Sequence, residues 1–342
     1  MLVCGLRHVS DNKSDMNIFR NWSEVPPPLK GGVLVLGNFD GLHRGHQEVI
    51  GRAKEIAKSR GVASAVMTFE PHPRVFFNPD QEPFRLCPFR MKARLMESLG
   101  IDYLYVQTFD LEFSKRSAEN FVEEVLVGGL NISHVVVGYD YVFGYQRKGN
   151  VELLRSLSTK FGFEVTAIEK ITLEQGHRFS STNVRNLLKV GKCESAAALL
   201  GRYWEIEGRV EQGDQRGRQL GFPTANLPYK DYLHPKKGVY AVCAGIDKGA
   251  DTIWHPGVAN FGNRPTFDKK DVLLEVHLLD GDQDLYQKHL RVALIEFLRG
   301  EVKFDGLEAL QVQIATDCQT ARDLLASGSF SATTAPFVSY RG

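Results

Sequence analysis

Two histidines three residues apart, His43 and His46, lie within LGNFDGLHRGHQEVI at 36–50, where an apolar run passes through a glycine-bearing turn into an amphipathic stretch. A strand that ends in such a turn and resumes as a helix aims backbone N–H groups and the positive end of a helix dipole at the space beyond the strand's carboxyl end, where open α/β sheets bind anions. Gly37 and Gly41 let the chain turn and approach a phosphate closely, and the spacing of the histidines sets their imidazoles side by side at the helix start. A lone histidine at such a junction more often caps or packs. Here the pair, both glycines and the strand coincide, and the chemistry they imply is the grip of a phosphate.

A second candidate is GRVEQGDQRGRQLGFPTANL at 208–227. Its glycines at 208, 213, 217 and 221 permit a loop whose backbone closes over phosphates, and Arg216 and Arg218 add positive charge. Thr224 and Asn226, two apart, present oxygens on the same face of an extended chain, and hard ligands of that kind suit magnesium carrying a nucleotide. The chain has no GxxxxGK[ST], HExxH, EF-hand loop or GxSxG, so a P-loop is not the source of nucleotide binding.

GNFDGLHRGH resembles the GxFDGxHxGH signature of nucleotidyltransferases of the HIGH superfamily, most closely that of the bacterial bifunctional riboflavin kinase/FAD synthetases. TFEPHP at 68–73, VVGYDYVFGYQRKGN at 136–150 and FSSTNVRNLL at 179–188 also look like segments of that family. The resemblance implies an N-terminal domain that transfers AMP from ATP to FMN. Carried over by position, it implies ATP contacts at Gly37, Phe39, Asp40, Gly41, His43, His46, Ser180, Ser181, Thr182 and Arg185, with His43, His46 and Arg185 catalytic. Asp140 and Tyr141 are implied to touch the flavin or its phosphate.

GRQLGFPTAN at 217–226 is similar, nearly residue for residue, to the riboflavin kinase signature GRxLGFPTAN, and GVANFGNRPTF at 257–267 and LLEVHLLD at 273–280 resemble the same domain. The implied nucleotide and magnesium contacts are Gly217, Arg218, Gly221, Pro223, Thr224 and Asn226, with Thr224 and Asn226 as metal ligands. Glu275 is implied to be the base that accepts the ribityl hydroxyl proton. Phe261 and Asn263 depart from the usual Ile and Thr of the family, and Gln287 stands where a glycine commonly follows Leu-Tyr. These departures leave Thr224, Asn226 and Glu275 untouched, so altered affinity or loop dynamics is expected, not loss of activity.

The division of chemistry between the two halves is physically coherent. The FMN phosphate, with a second pKa of about 6, is already largely dianionic at neutral pH, so adenylyl transfer asks for charge neutralisation and alignment and no strong base. An alcohol must lose a proton while it attacks, so a positioned carboxylate belongs in the kinase half. Two other readings remain: a nucleotidyltransferase for another phosphate substrate with a noncatalytic barrel, and a flavin-binding sensor. A nucleic-acid module is disfavoured by the charge balance and by the lack of a basic strand interleaved with aromatics.

The elements that must position these residues follow from length and pattern. At roughly 100–200 residues per domain, 342 residues predict two domains. With 42 Lys and Arg against 41 Asp and Glu, net +1, a broad basic surface for duplex nucleic acid is disfavoured while compact anionic pockets stay open. Apolar runs at 33–39, 63–69, 101–106, 133–138 and 163–168, with a helix at 45–60 among the stretches between them, predict a parallel sheet flanked by helices. The segment 84–127 is expected to add a helical excursion, and short helices are expected near 182–188 and 193–200. Beyond Gly201, Gly, Pro and Asn punctuate short strands, which predicts an antiparallel barrel or sandwich followed by a helix over 306–326 with Leu307, Leu310, Ile314, Ala321 and Leu325 on one stripe. The expected fold class is thus α/β: a Rossmann-like nucleotidyltransferase domain at 18–188, a linker at 189–201, an antiparallel β-barrel riboflavin kinase domain with a terminal helix at 202–328, and a loose tail at 329–342.

Five scattered cysteines offer no CxxC pair or zinc spacing and read as reduced thiols, the N-terminal residues do not look like a secretory signal, and 125–146 is too interrupted for a membrane helix. The expected setting is therefore the cytoplasm, with ATP, riboflavin and FMN as substrates, magnesium as cofactor, no nucleic-acid or membrane partner, and a monomer or weak homo-oligomer.

Overall fold

The computed structural model describes residues 16–169, 179–212, 221–263, 272–280 and 284–327. The expected site residues Gly217 and Arg218 and the expected tail at 329–342 lie outside them. The described chain falls into two compact units, one made of 16–38, Val49–Phe76 and Leu95–Glu169, the other of Phe39–Glu48, Phe77–Arg94 and the described residues from 179 onward.

The first unit holds a six-stranded parallel sheet of β1 (Asn17–Phe19), β2 (Val33–Leu36), β3 (Ser64–Glu70), β4 (Tyr103–Thr108), β5 (His134–Gly138) and β6 (Glu164–Ile168), in the order β1-β4-β3-β2-β5-β6. The apolar runs of β2 and β3 are buried almost throughout, as strands covered on both faces must be. From β2 the chain moves to β3 on one side and only later returns to β5 on the other. This reversal makes the carboxyl end of β2 the switch point where α/β folds open a ligand crevice.

The helices are α1 (Arg44–Arg60), α2 (Pro73–Phe77), α3 (Phe89–Ser98), α4 (Leu111–Ser114), α5 (Ala118–Asn120, continued by a π-helical stretch to Gly129), α6 (Val151–Phe161), α7 (Ser181–Lys189), α8 (Cys193–Leu200) and α9 (Leu307–Ser327). Their starts follow side-chain chemistry. Asp110, Ser117, Asn150 and Ser180 each accept a first-turn N–H, of α4, α5, α6 and α7 in turn. The 84–127 stretch, expected to be rich in helix, supplies α3, α4 and α5 around β4. The apolar 125–146 stretch divides into the end of the π-helical segment and β5.

In the second unit, β7 (Trp204–Arg209), β8 (Ala225–Pro228), β9 (Gly238–Ile246), β10 (His255–Asn263), β11 (Val272–Leu278) and β12 (His289–Arg299) pair antiparallel in the order β7-β12-β9-β10-β11-β8. A bridge from Glu211 to Asn226 draws the two edge strands together, so the barrel is nearly closed. Alternation sends Ile206, Val242, Phe261, Leu274, Val276 and Val292 to one side, all buried, while Ala241, Cys243 and Val258 on the other side pack with Cys318, Ala321 and Leu325 of α9. The expected apolar stripe of α9 is corrected at its start: Leu307 is 68% exposed, and the buried face begins with Asp317, which takes a bidentate grip from Arg299 at 2.7 and 2.9 Å.

Two family departures have structural consequences. Phe261 is fully buried and meets Tyr229 and Tyr240 edge-on at 5.0 and 5.4 Å, so the larger ring is absorbed by an aromatic core. Gln287 has φ 58, the left-handed conformation that glycine adopts without cost.

Candidate active sites

The turn between β2 and α1 is strained and fully braced. Phe39, Gly41 and Leu42 have φ of 50, 83 and 44, and two non-glycine residues in that region cost on the order of 1–2 kcal/mol each. Gly41 is required twice over, because a Cβ there would also stand 2.8 Å from Leu86 Cδ1. The backbone polar groups of the turn are paired one after another. Ser181 Oγ donates to Asp40 O at 2.8 Å, Gly41 N to Cys87 Sγ at 3.0 Å, Arg202 Nη2 to Gly41 O at 2.9 Å, and Gln47 Nε2 to Leu42 O at 2.7 Å. Asp40, 4% exposed, accepts from Leu86 N at 2.9 Å, Cys87 N at 3.1 Å and Arg185 Nη2 at 2.6 Å. Burial and the neighbouring Asp40 carboxylate push the Cys87 thiol up to about 12, so its sulfur serves as an acceptor and not as a thiolate.

This scaffold presents the two histidines as a stacked pair, with ring centroids 3.6 Å apart and an interplanar angle of 17°. His46 N donates to His43 Nδ1 at 3.3 Å, leaving Nε2 as the protonated nitrogen of a neutral His43. Phe39 braces His46 edge-on at 5.2 Å, and His46 Nδ1 is buried without a protein partner among the described residues. An orphaned buried ring nitrogen in the first turn of α1, where the helix dipole is positive, marks a place for a polar ligand.

Burial holds His43 down at about 4, with Arg185 and Arg202 adding to the effect against the opposing pull of Asp40. His46 is held well below its ordinary value by burial first, then by His43, Lys92 and Arg185. Both rings are therefore neutral donors at pH 7. The unfolded chain takes up the His43 proton near 6.5 and the folded chain only near 4, so stability is complete above that window and falls as the pH drops through it. The contribution of His43 amounts to about 3 kcal/mol once both states are protonated. Thermal unfolding followed between these two pH values should show a shallower acid decline for His43→Asn than for the wild-type chain. Equal slopes would refute the buried, neutral imidazole.

The expected hydroxyl group of α7 is divided in its tasks. Ser180 Oγ caps the helix through Asn183 N at 3.1 Å, Ser181 Oγ ties α7 to the turn, and Thr182 is exposed. Arg185 is brought to the turn too, but its Nε donates to Phe84 O at 2.9 Å, its Nη2 to Asp40, and its guanidinium lies 5.2 Å from the Phe84 ring. Sequence reasoning missed Leu86, Cys87, Gln47 and Arg202 as turn-building residues, since none carries a local signal.

In the first unit, Gly37 N donates to Met67 O at 3.2 Å as β2 ends. Asp140 is exposed on the loop after β5, while Tyr141 stacks on Phe143 at 5.6 Å and 14° with its hydroxyl buried and unpartnered among the described residues. Burial pushes that phenol up, so it is a neutral donor within an aromatic surface suited to a flat ring system.

In the barrel, antiparallel register places Asn226 of β8 opposite Glu275 of β11, and Glu275 opposite Asn260 of β10. Directly opposed residues share a face with Cβ atoms about 5 Å apart, so the three form one polar row. Asn226 is buried and Glu275 and Thr224 are half-buried. Asn260 was not singled out from sequence because only strand pairing reveals its place. His277 Nδ1 donates to Pro223 O at 2.8 Å and meets Phe222 edge-on at 5.5 Å, which fixes the start of the Pro-Thr-Ala-Asn segment. Gly221, exposed with φ 85, precedes it. Among the described residues no cluster of three or more His, Cys, Asp or Glu is placed to hold a metal.

Two family models match this chain. One, for FAD synthetase, matches residues 26–183, and the other, for riboflavin kinase, matches 200–325. The bifunctional riboflavin kinase/FMN adenylyltransferase of Escherichia coli (strain K12) is 42% identical over 296 residues, covering 86% of this chain and 93% of its own length. That of Pseudomonas fluorescens is 42% identical over 313 residues, 91% of this chain and 98% of the relative. A solved structure described as a macrolide-efflux protein from Streptococcus pneumoniae is 30% identical with a TM-score of 0.78, covering 91% of this chain and 99% of that one. Among the described residues no helix is long and apolar enough to cross a membrane.

Proposed function

We infer the function from one premise: the chain belongs to the family of bifunctional riboflavin kinases/FMN adenylyltransferases. It carries two activities, ATP-dependent phosphorylation of riboflavin to FMN in the C-terminal barrel and adenylyl transfer from ATP to FMN, giving FAD and pyrophosphate, in the N-terminal α/β region. The observation that supports this assignment is where the carboxylates stand. At the histidine turn Asp40 holds Arg185 and two backbone N–H groups, and in the barrel Glu275 stands at the centre of a polar row between Asn226 and Asn260. A phosphate nucleophile needs no base and an alcohol does, so the two sites match the two reactions in that order.

In the first reaction His43 and His46 donate to ATP phosphate oxygens as charge develops on the leaving pyrophosphate, backed by the N-terminus of α1. Gly37, Phe39 and Gly41 shape the turn around the nucleotide, Asp40 and Arg185 hold it, Ser180, Ser181 and Thr182 line the start of α7, and Asp140 and Tyr141 meet the flavin. In the second, Glu275 takes the proton of the ribityl hydroxyl as that oxygen attacks the γ-phosphorus. Gly217, Arg218, Gly221 and Pro223 form the loop over the nucleotide.

A divalent metal fits the oxygen donors of Thr224 and Asn226, and we take it to be magnesium, which supplies charge neutralisation at the nucleotide phosphates. The described cysteines, Cys87, Cys193, Cys243 and Cys318, are free and buried, in keeping with a reducing cytoplasm. The domain limits 18–188 and 202–328 with a linker at 189–201, and a monomer or weak homo-oligomer, complete the proposal.

The full chain incubated with riboflavin, ATP and magnesium should yield FMN and then FAD on chromatographic separation. His46→Asn should make FMN accumulate, with FAD formation reduced about 10²–10³-fold, the range for loss of one preorganised donor. Tight flavin binding without turnover would replace the assignment with a sensor.

A further inference from the structure

We propose that Arg202, which falls in the stretch matched as riboflavin kinase, is a positioning residue of the adenylyl-transfer site. The inference rests on the reading of the histidine turn given above. Arg202 is 5% exposed, and among the described residues it makes no ion pair. Its Nη2 donates to Gly41 O at 2.9 Å and its Nη1 reaches Leu200 O at 3.5 Å, while its Nε is buried with no partner. A buried cation without a direct ion pair is costly to keep; burial lowers the Arg202 pKa while Cys87 and the Glu205 carboxylate partly offset that effect, and a guanidinium retained beside an anion-binding turn contributes a positive potential there. The carbonyl it grips belongs to Gly41, in the middle of the three left-handed residues Phe39, Gly41 and Leu42 and two residues from His43.

A second strut leaves the same segment. Trp204 Nε1 donates to Leu86 O at 2.7 Å, and Leu86 N in turn donates to the Asp40 carboxylate at 2.9 Å. Arg44 Nε and Gln47 Nε2 reach back from α1 to Ala198 O at 3.0 Å and Leu200 O at 2.8 Å. Residues 198–204 thus fix the turn through four hydrogen bonds. Arg202 also helps to keep His43 neutral, because its charge opposes protonation of that ring. The kinase row at Asn226, Glu275 and Asn260 includes no residue of this set, so the two activities should respond separately.

The test uses the full chain and measures both reactions on each preparation: FMN adenylylation with ATP varied, and riboflavin phosphorylation. Arg202→Met should lower kcat/KM for adenylylation about 10–100-fold, the scale of one charge-assisted hydrogen bond, with riboflavin phosphorylation within about twofold of wild type. Arg202→Lys should recover part of the loss, since it restores the charge and one donor. In Arg202→Met the acid limb of the adenylylation pH profile should move to higher pH as His43 becomes easier to protonate. Trp204→Phe, which keeps an aromatic side chain though a smaller one and removes the donor, should reduce adenylylation and spare the kinase. Unchanged adenylylation in Arg202→Met, or a parallel fall of both activities with no recovery in Arg202→Lys, would overturn the proposal. Failure of the wild-type chain to adenylylate FMN would instead remove the reading on which it rests.

Discussion

Glu275→Gln should slow riboflavin phosphorylation by about 10²–10⁴-fold, the range for removal of a general base, while adenylylation of supplied FMN proceeds at the wild-type rate. The expectation follows from register. Glu275 pairs with Asn226 on one side and Asn260 on the other, so its carboxylate sits in the middle of a polar row on strands that the barrel core holds rigid. Leu274 and Val276, on either side of it, are 0% and 1% exposed and anchor β11, so the substitution changes a proton acceptor and leaves the strand in place. Gln keeps the shape and hydrogen-bonding reach of Glu and cannot take a proton at working pH, which separates base catalysis from positioning. A variant that keeps phosphorylation within threefold of wild type would remove Glu275 from the role of base. Loss of FAD formation from supplied FMN would show that the barrel reaction and the histidine turn have been assigned to the wrong residues.

Local signals explain how much could be read before the fold was known. The turn at 36–50 was legible because a fixed spacing of glycines and histidines between a strand and a helix is itself the chemistry, and β2, α1, α7 and α8 fall where their patterns place them. β1 and β8, at three and four residues, are too short for periodicity to register, and β8 matters because it carries Asn226. The braces of the turn were illegible for a different reason: Arg185 lies 145 residues from Asp40, and Arg202 lies 161 from Gly41.

The same holds for a buried ionic cluster in the second unit. Arg94 pairs with Glu205 and Glu207 at 3.2 and 3.0 Å, and Arg291 pairs with Glu205 at 2.9 Å while lying 4.8 Å from the Trp254 ring. Burial raises the Glu207 carboxyl, and Arg94 and Arg90 work against that rise. A near-neutral total of charges conceals such pairs, because each contributes equally to both sides of the count. Family resemblance implies nucleotide contacts for Asp40 and Arg185; the structure shows that both are partners of the protein itself.

That dual character yields the largest expected effect on stability. Asp40→Ala should destabilise the second unit by about 3–5 kcal/mol, because it removes the ion-pair partner of the half-buried Arg185 guanidinium and leaves Leu86 N and Cys87 N without their acceptor. The strained residues Phe39 and Leu42 persist only while their surroundings over-determine them, so loss of the carboxylate should also loosen the stacked histidines and abolish most FMN adenylylation. Denaturant unfolding of the Asp40→Ala and Arg185→Met single variants and of the double variant would resolve the coupling. The double variant should be more stable than the sum of the single losses allows, since removing the guanidinium relieves the unpaired charge that Asp40→Ala creates. If Asp40 acted only by touching ATP, Asp40→Ala would unfold like wild type and show its defect in the KM for ATP alone. The 2.6 Å ion pair and the two backbone donors on one buried carboxylate predict the opposite order of effects, with stability lost first and activity as a consequence.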